Sequence, residues 1–185
     1  MFVIGIDPGL SRCGYGAVRQ VGSSDPVEVA SGVLTTAAED SLAQRLASLL
    51  HLLRRLLADL RPEAAVVERV LFQANARTAM SVGQASGLAL VAAAEAGIPV
   101  VQYSPNEVKQ AVTGWGGADK RQVQRMVQAL LRLPELPLPA DRADALALAL
   151  CHLASAPFTR ATSVALAAVG AGGSRAGGSL AGGSR

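Results

Sequence analysis

The stretch "FVIGIDPGLSRCGYGAVRQ", residues 2–20, decides the fold, because it moves from a buried strand to a second strand through a turn that carries an acid. Phe2 to Asp7 is a short apolar run closed by "DPG", the pattern of an interior strand running into a turn. "CGYGAVRQ" (13–20) and "VEVASGVLTT" (27–36) follow, with turn residues from Gly22 to Pro26 between them. Three successive strands joined as hairpins are predicted.

Further along, helices and strands alternate. Leucines recur at helical spacing from Ser41 to Leu60, with Arg45, Arg54 and Arg55 among them, and Pro62 stops the helix. "EAAVVERV" (63–70) reads as a buried strand, Asn75 to Ala96 as a long alanine-rich helix, and "IPVVQYS" (98–104) as another strand. Ser104, Pro105 and Glu107 fit a capping box with proline at the first helical position, so a helix starts there and ends at Gly114. "GWGGADK" (114–120) is a loop, Lys120 to Leu131 a helix, "RLPELPLP" (132–139) a connector, and Asp141 to about Ala154 the last helix. The order β-β-β-α-β-α-β followed by helices predicts one α/β domain over residues 1–155. Residues 156–185 turn to Ala, Gly and Ser, with "AGGSR" twice, and are expected to be a disordered tail.

Charge and cysteines exclude several classes. The chain has 17 Lys+Arg against 14 Asp+Glu, but Arg160, Arg175 and Arg185 lie in the tail, which leaves the first 155 residues neutral. Net charge therefore does not argue for nucleic acid; only its distribution can. Cys13 and Cys151 have neither metal-site spacing nor a disulfide framework. The start "MFVIGIDPG" lacks a basic signal-peptide region, and no apolar run reaches the roughly 20 residues of a spanning helix. A soluble cytoplasmic protein is expected.

The acids carry the chemistry. Asp7 ends the first strand and Glu68 the fourth, each after an apolar run. If those strands are parallel neighbours, their C-terminal ends lie side by side at the edge where open α/β sheets bind ligands. Asp141 and Asp144 share one face at the start of the last helix, where they either serve as N-cap and first-turn acids or join the same cavity. Four carboxylates without Cys or His would select Mg²⁺ or Mn²⁺. Two such ions would suit phosphodiester hydrolysis. The alternatives are an Asx-turn at Asp7 and an ion pair between Glu68 and Arg69.

Other candidates are weaker. Arg121, Arg125, Gln128 and Arg132 share a helix face opposite Val123, Met126, Val127 and Leu130; it either meets solvent or tracks phosphates beside Lys109 and Lys120. Trp115 sits in a flexible glycine loop, as a platform for a splayed base or as an anchor on the core. Gly83 and Gly87 permit close backbone approach, by a second protomer or by the sheet. His51 and His152 show no constellation, and neither is assigned a catalytic role.

Four motifs, "GIDPGLSRCGYG" (5–16), "VERVLFQANARTAMSVGQASG" (67–87), "VKQAVTGWGGADKRQVQRMV" (108–127) and "ADRADALALAL" (140–150), resemble the RuvC Holliday-junction resolvases in order and spacing. The resemblance covers about residues 1–155. It implies a ribonuclease-H-like fold, with a mixed five-stranded sheet flanked by helices. It also implies a metal-dependent endonuclease that cuts two strands of like polarity in a four-way junction, leaving 5′-phosphate and 3′-hydroxyl ends. The metal-binding acids fall on Asp7, Glu68, Asp141 and Asp144, holding two Mg²⁺ ions that Mn²⁺ can replace. DNA contacts fall on Lys109 and Lys120, and the base wedge on Leu71 or Phe72. A homodimer and a branch-migration complex of RuvA and RuvB type are the expected partners. "IDPG" alone is shared with actin-like ATPases, which need a second lobe and a longer chain; a junction-binding scaffold without catalysis would not need all four acids.

Overall fold

A computed structural model of the chain describes residues 1–70 and 76–155, and the side chains from 79 onward in the second stretch. Leu71 and Phe72, the two candidates for the wedge, and the expected tail at 156–185 lie outside the described residues.

The first three strands are β1 (Phe2–Asp7), β2 (Arg12–Arg19) and β3 (Val27–Thr35), antiparallel neighbours as the turn chemistry predicts. After helix α1 (Leu42–Leu60), β4 (Ala64–Glu68) returns parallel to β1; after α2 (Ala76–Glu95), β5 (Val100–Tyr103) adds parallel to β4. The mixed sheet has the order β3-β2-β1-β4-β5. Helices α3 (Pro105–Thr113) and α4 (Lys120–Leu130) follow, and a last helix, α5 (140–155), ends the described chain.

Local chemistry explains the boundaries. Ser41 caps α1 in a capping box with Gln44, and Arg61 closes it in the left-handed region at φ 50°, directly before Pro62. Ser104 and Glu107 form the expected box on α3, whose C-cap is Gly114; Asp119 and Gln122 form another on α4. Helix α4 ends at Leu130, so Arg132 is not on its basic face: it stands beyond the helix at φ 51° and pairs with Asp25.

Alternation along the strands produces two cores. Ile4, Ile6, Ala17, Ala65 and Val67 pack with Leu49, Leu53 and Leu57 of α1 and the buried alanines of α2. Val3, Val18 and Val66 pack on the opposite side with Val108, Val112, Val123, Val127 and the apolar body of α5. Cys13 and Cys151 are both free and buried; burial pushes the Cys13 thiol up to about 12, so it stays protonated.

Candidate active site

On the α5 side, β1 and β2 have almost no side chains in the middle. Gly5 faces Gly16 across the ladder and Gly14 faces Asp7. A Cβ on Gly5 would fall 2.0 Å from the Ala145 carbonyl oxygen, and one on Gly14 would fall 2.0 Å from that of Asp141. On Gly16 it would meet the Leu146 nitrogen at 2.7 Å. Helix α5 therefore lies directly on the strand backbone, which brings its first turns over the end of β1. The sequence reading missed this track; its signal is three glycines on one face of a hairpin, Gly14 and Gly16 two apart on β2 and Gly5 opposite.

Strand pairing supplies the first two acids. The parallel register Ile6↔Val67 makes Asp7 and Glu68 neighbours at the C-terminal ends of β1 and β4. Both follow a residue of the α5-side core by two positions, Gly5 and Val66, so both point to that side. Asp7, Glu68 and Asp144 line one cavity of about 290 Å³ with Lys109, Lys120 and Val123. Neither alternative for the strand-end acids is present: among the described residues Asp7 accepts no hydrogen bond from the turn after it, and Arg69 pairs with Glu107 at 3.9 Å instead of with Glu68.

Asp141 is placed differently. Helix α5 begins at residue 140, so Asp141 stands inside its first turn and is not its N-cap. Its carboxylate accepts from Arg12 Nη2 at 2.8 Å and Nε at 3.1 Å, and it is not among the residues lining the cavity. Asp144 is paired with Lys120 at 3.5 Å. With two of the four acids turned toward cations of the chain itself, no three His, Cys, Asp or Glu side chains among the described residues are grouped closely enough to hold one metal ion.

The electrostatics of the cavity are nonetheless unfavourable to its own carboxylates. Burial, then the charges of Glu68, Asp144 and Asp141, push Asp7 up to about 7, against a smaller opposing pull from Lys120. Burial and Asp144 raise Glu68 as well; burial raises Asp144 despite Lys120. Half-buried carboxylates that raise one another's pKa are relieved by a divalent cation, and an all-oxygen donor set fits Mg²⁺ or Mn²⁺.

The remaining candidates divide. Lys109 and Lys120 are on the cavity wall, whereas Arg121 and Arg125 are exposed along α4. Trp115 is 60% exposed, which excludes the core anchor. His152 is buried, its pKa is lowered by that burial, and its Nδ1 lies 3.1 Å from the Tyr103 hydroxyl. That is a core role, and His51 is exposed on α1, outside the cavity lining. Gly83 and Gly87 have nothing within 4 Å of a built Cβ, so the sheet is not their partner.

Comparison with known proteins places the chain in a family. A family model described as crossover junction endodeoxyribonuclease RuvC matches residues 3–152. The crossover junction endodeoxyribonuclease RuvC of Roseiflexus sp. (strain RS-1) is 51% identical over 157 residues, 85% of this chain and 93% of that protein. The Salinispora arenicola protein of the same name is 54% identical over 153 residues, 83% of this chain and 87% of that protein. The solved structure of Thermus thermophilus RuvC in complex with a Holliday junction substrate aligns with TM-score 0.81 at 40% identity, covering 86% of this chain and 96% of that one.

Proposed function

Because this chain belongs to the RuvC family of crossover junction endodeoxyribonucleases, we propose that the strand-end acids and the first turns of α5 form the metal-dependent site with which it resolves four-way DNA junctions. The fold is ribonuclease-H-like and the chain is a nuclease that hydrolyses phosphodiester bonds. The observation that carries the site is the shared cavity of Asp7, Glu68 and Asp144, where burial raises all three carboxylates and Asp144 further raises Asp7 and Glu68.

Asp7, Glu68 and Asp144 would hold two Mg²⁺ ions, with Asp141 as a fourth ligand once released from Arg12. Bound there, the ions would activate a water and stabilise charge on the phosphate and leaving oxygen. The chain's own residues do the rest. Glycine-track packing fixes α5 so that Asp144 faces the two strand ends. Lys109 and Lys120, on the cavity wall, take the non-bridging phosphate oxygens; Lys120 must leave Asp144 to do so. Arg121 and Arg125 on the exposed side of α4 extend the positive track for flanking phosphates.

A homodimer supplies the second cut. Met80 and Val91 are exposed, 67% and 46%, and with the open Gly83 and Gly87 they form one stripe along α2, opposite the buried Ala85, Ala89, Ala92 and Ala93. That stripe suits a second copy of α2. The protein would act in the cytoplasm, in recombination and repair, beside a branch-migration complex of RuvA and RuvB type; no described helix is long and apolar enough to cross a membrane.

The test is a gel assay of a synthetic four-way junction with Mg²⁺, with Mn²⁺ and with chelator. Paired nicks that disappear with chelator are expected. Cutting that survives chelation would overturn the metal site, and failure to cut in either metal would overturn the activity.

A further inference from the structure

The loop between α3 and α4 is braced by hydrogen bonds. The Thr113 hydroxyl accepts from the Trp115 amide at 3.2 Å and donates to the Lys109 carbonyl at 2.8 Å. The Gln110 side chain donates to the Gly114 carbonyl at 2.7 Å and accepts from the Gly116 amide at 3.0 Å. The Trp115 carbonyl accepts from the Ala118 amide at 3.2 Å. The indole lies against Gly117, where a Cβ would fall 2.7 Å from ring atom Cζ2. One part of the ring is thus backed by backbone, while the residue remains 60% exposed. A large aromatic whose backbone is hydrogen-bonded in place and whose ring is backed on one side is a partly preorganised contact surface, because less ordering remains to be done on binding.

Beside the ring, Thr113, Ala118, Gln122, Arg125 and Met126 complete an open groove of about 300 Å³. Charge and continuity identify its occupant. Helix α4 carries Lys120, Arg121 and Arg125 and no acid, which suits a polyanion. Lys120 and Val123 line the catalytic cavity, while Gln122, Arg125 and Met126 line the groove. The two sites therefore lie on two sides of one helix, about one helix diameter or ~10 Å apart. At an axial rise of about 3.4 Å per nucleotide, a strand with its phosphate in the cavity reaches the groove within about three steps.

The geometry points to Trp115 as a stacking platform for an unstacked base of the junction strand, with Arg125 on the phosphate of that nucleotide. The assignment rests on the nuclease reading of the neighbouring cavity and extends it to a nucleotide beyond the cut. Aromatic faces accept any base, so the contact would favour distorted over stacked DNA without selecting sequence.

Trp115 is the only tryptophan in the chain, so emission excited at wavelengths beyond the absorption of Tyr15 and Tyr103 reports this loop alone. In the full-length protein without divalent ions, a synthetic four-way junction should quench the emission, saturating together with binding followed by anisotropy of labelled DNA. A linear duplex of equal length should quench it less. Trp115→Ala should weaken junction binding about tenfold, whereas Trp115→Phe should stay within about threefold of the parent. Emission that is unchanged while the junction binds overturns the platform. So does emission that follows protein concentration without DNA, which would make the groove a protein contact. Cleavage by the parent protein with Mg²⁺ is measured alongside: cutting with a silent tryptophan removes the platform only, and a parent that neither binds nor cuts the junction removes both readings.

Discussion

On one side of the sheet, Ile4, Ile6, Ala65 and Val67 meet the leucines of α1 and the alanines of α2; on the other, Gly5, Asp7, Val66 and Glu68 of the same two strands meet α5, α3 and α4. The first side is apolar apart from the buried Ser86 of α2, and Leu49, Leu53 and Leu57 are at most 1% exposed. Each such leucine contributes about 1.5–3 kcal/mol of burial. The second side combines bare backbone with carboxylates that oppose one another's ionisation. Period-two alternation lets one strand carry both: the α1/α2 side is core alone, whereas the α5 side has a core of its own around Val3, Val18 and Val66 and adds, at the strand ends, acids whose repulsion a cation would relieve.

The largest expected break in that division is in rate. Asp144→Asn keeps the shape of the side chain and should leave the fold intact, yet losing one carboxylate from the cavity removes several kcal/mol of transition-state stabilisation. Junction cleavage should fall at least about a hundredfold, with junction binding retained. Glu68→Gln should behave alike. Normal cleavage by either variant, measured under single turnover, would mean that the cavity acids are structural.

Leu53→Ala tests the opposite face. Loss of a fully buried leucine should cost about 2–5 kcal/mol in urea unfolding. Cleavage per folded molecule should remain within about twofold of the parent. If the rate drops along with stability, the two faces are coupled through the sheet and the division fails.

How much of this was legible follows the same division. The strand order of events, the capping box at Ser104 and the strand-end acids could be read because each depends on neighbours in sequence: period-two runs, turn residues, an N-cap with its partner three positions on. A parallel β1–β4 pair is enough to place Asp7 beside Glu68. What could not be read depends on contacts between distant segments. Arg12 reaches Asp141 across 129 positions, and Lys120 reaches Asp144 from another helix, partners that no local pattern of α5 announces. The position of Asp141 was also misread by local rules, which favour an aspartate after proline and alanine as a cap although the helix had already begun. Trp115 was ambiguous because glycines around it signal freedom, while Thr113 and Gln110 supply the bracing from outside the loop.

A smaller effect should appear in the pH dependence of stability without divalent ions. Asp7 has a folded pKa raised to about 7, mainly by burial and by Glu68. A raised pKa means that the folded state holds the proton more tightly, so this contribution is present below about 3.8 and is lost as pH rises through about 7. The ceiling is about 4 kcal/mol at 1.36 kcal/mol per unit; because Asp7 is half-buried, about 1–2 kcal/mol is expected. Asp7→Asn should therefore be more stable than the parent near pH 8 in urea titrations and no more stable near pH 4, while losing cleavage. Mg²⁺ should remove the parent's deficit. An Asp7→Asn protein with the parent's pH profile would show that the carboxylates do not repel one another.

The smallest effect distinguishes the two readings of Asp141. Its ion pair with Arg12 is partly exposed, with 50% and 29% of the side chains accessible, so its net worth is at most about 1 kcal/mol. Arg12→Met should cost no more than that. If Arg12 only ties α5 to β2, the variant should lose this stability and bind Mn²⁺ as the parent does in calorimetry without DNA. If Asp141 is a ligand held in reserve, freeing its carboxylate returns a negative charge to the cavity, and Mn²⁺ affinity should rise by about threefold to tenfold. The double variant with Asp141→Asn separates the cases. A gain in affinity that vanishes in the double variant assigns Asp141 to the metal, because the coupling then runs through that one carboxylate. A gain that persists, or none at all, leaves Asp144, Asp7 and Glu68 as the site and Asp141 as the anchor of the helix that delivers Asp144.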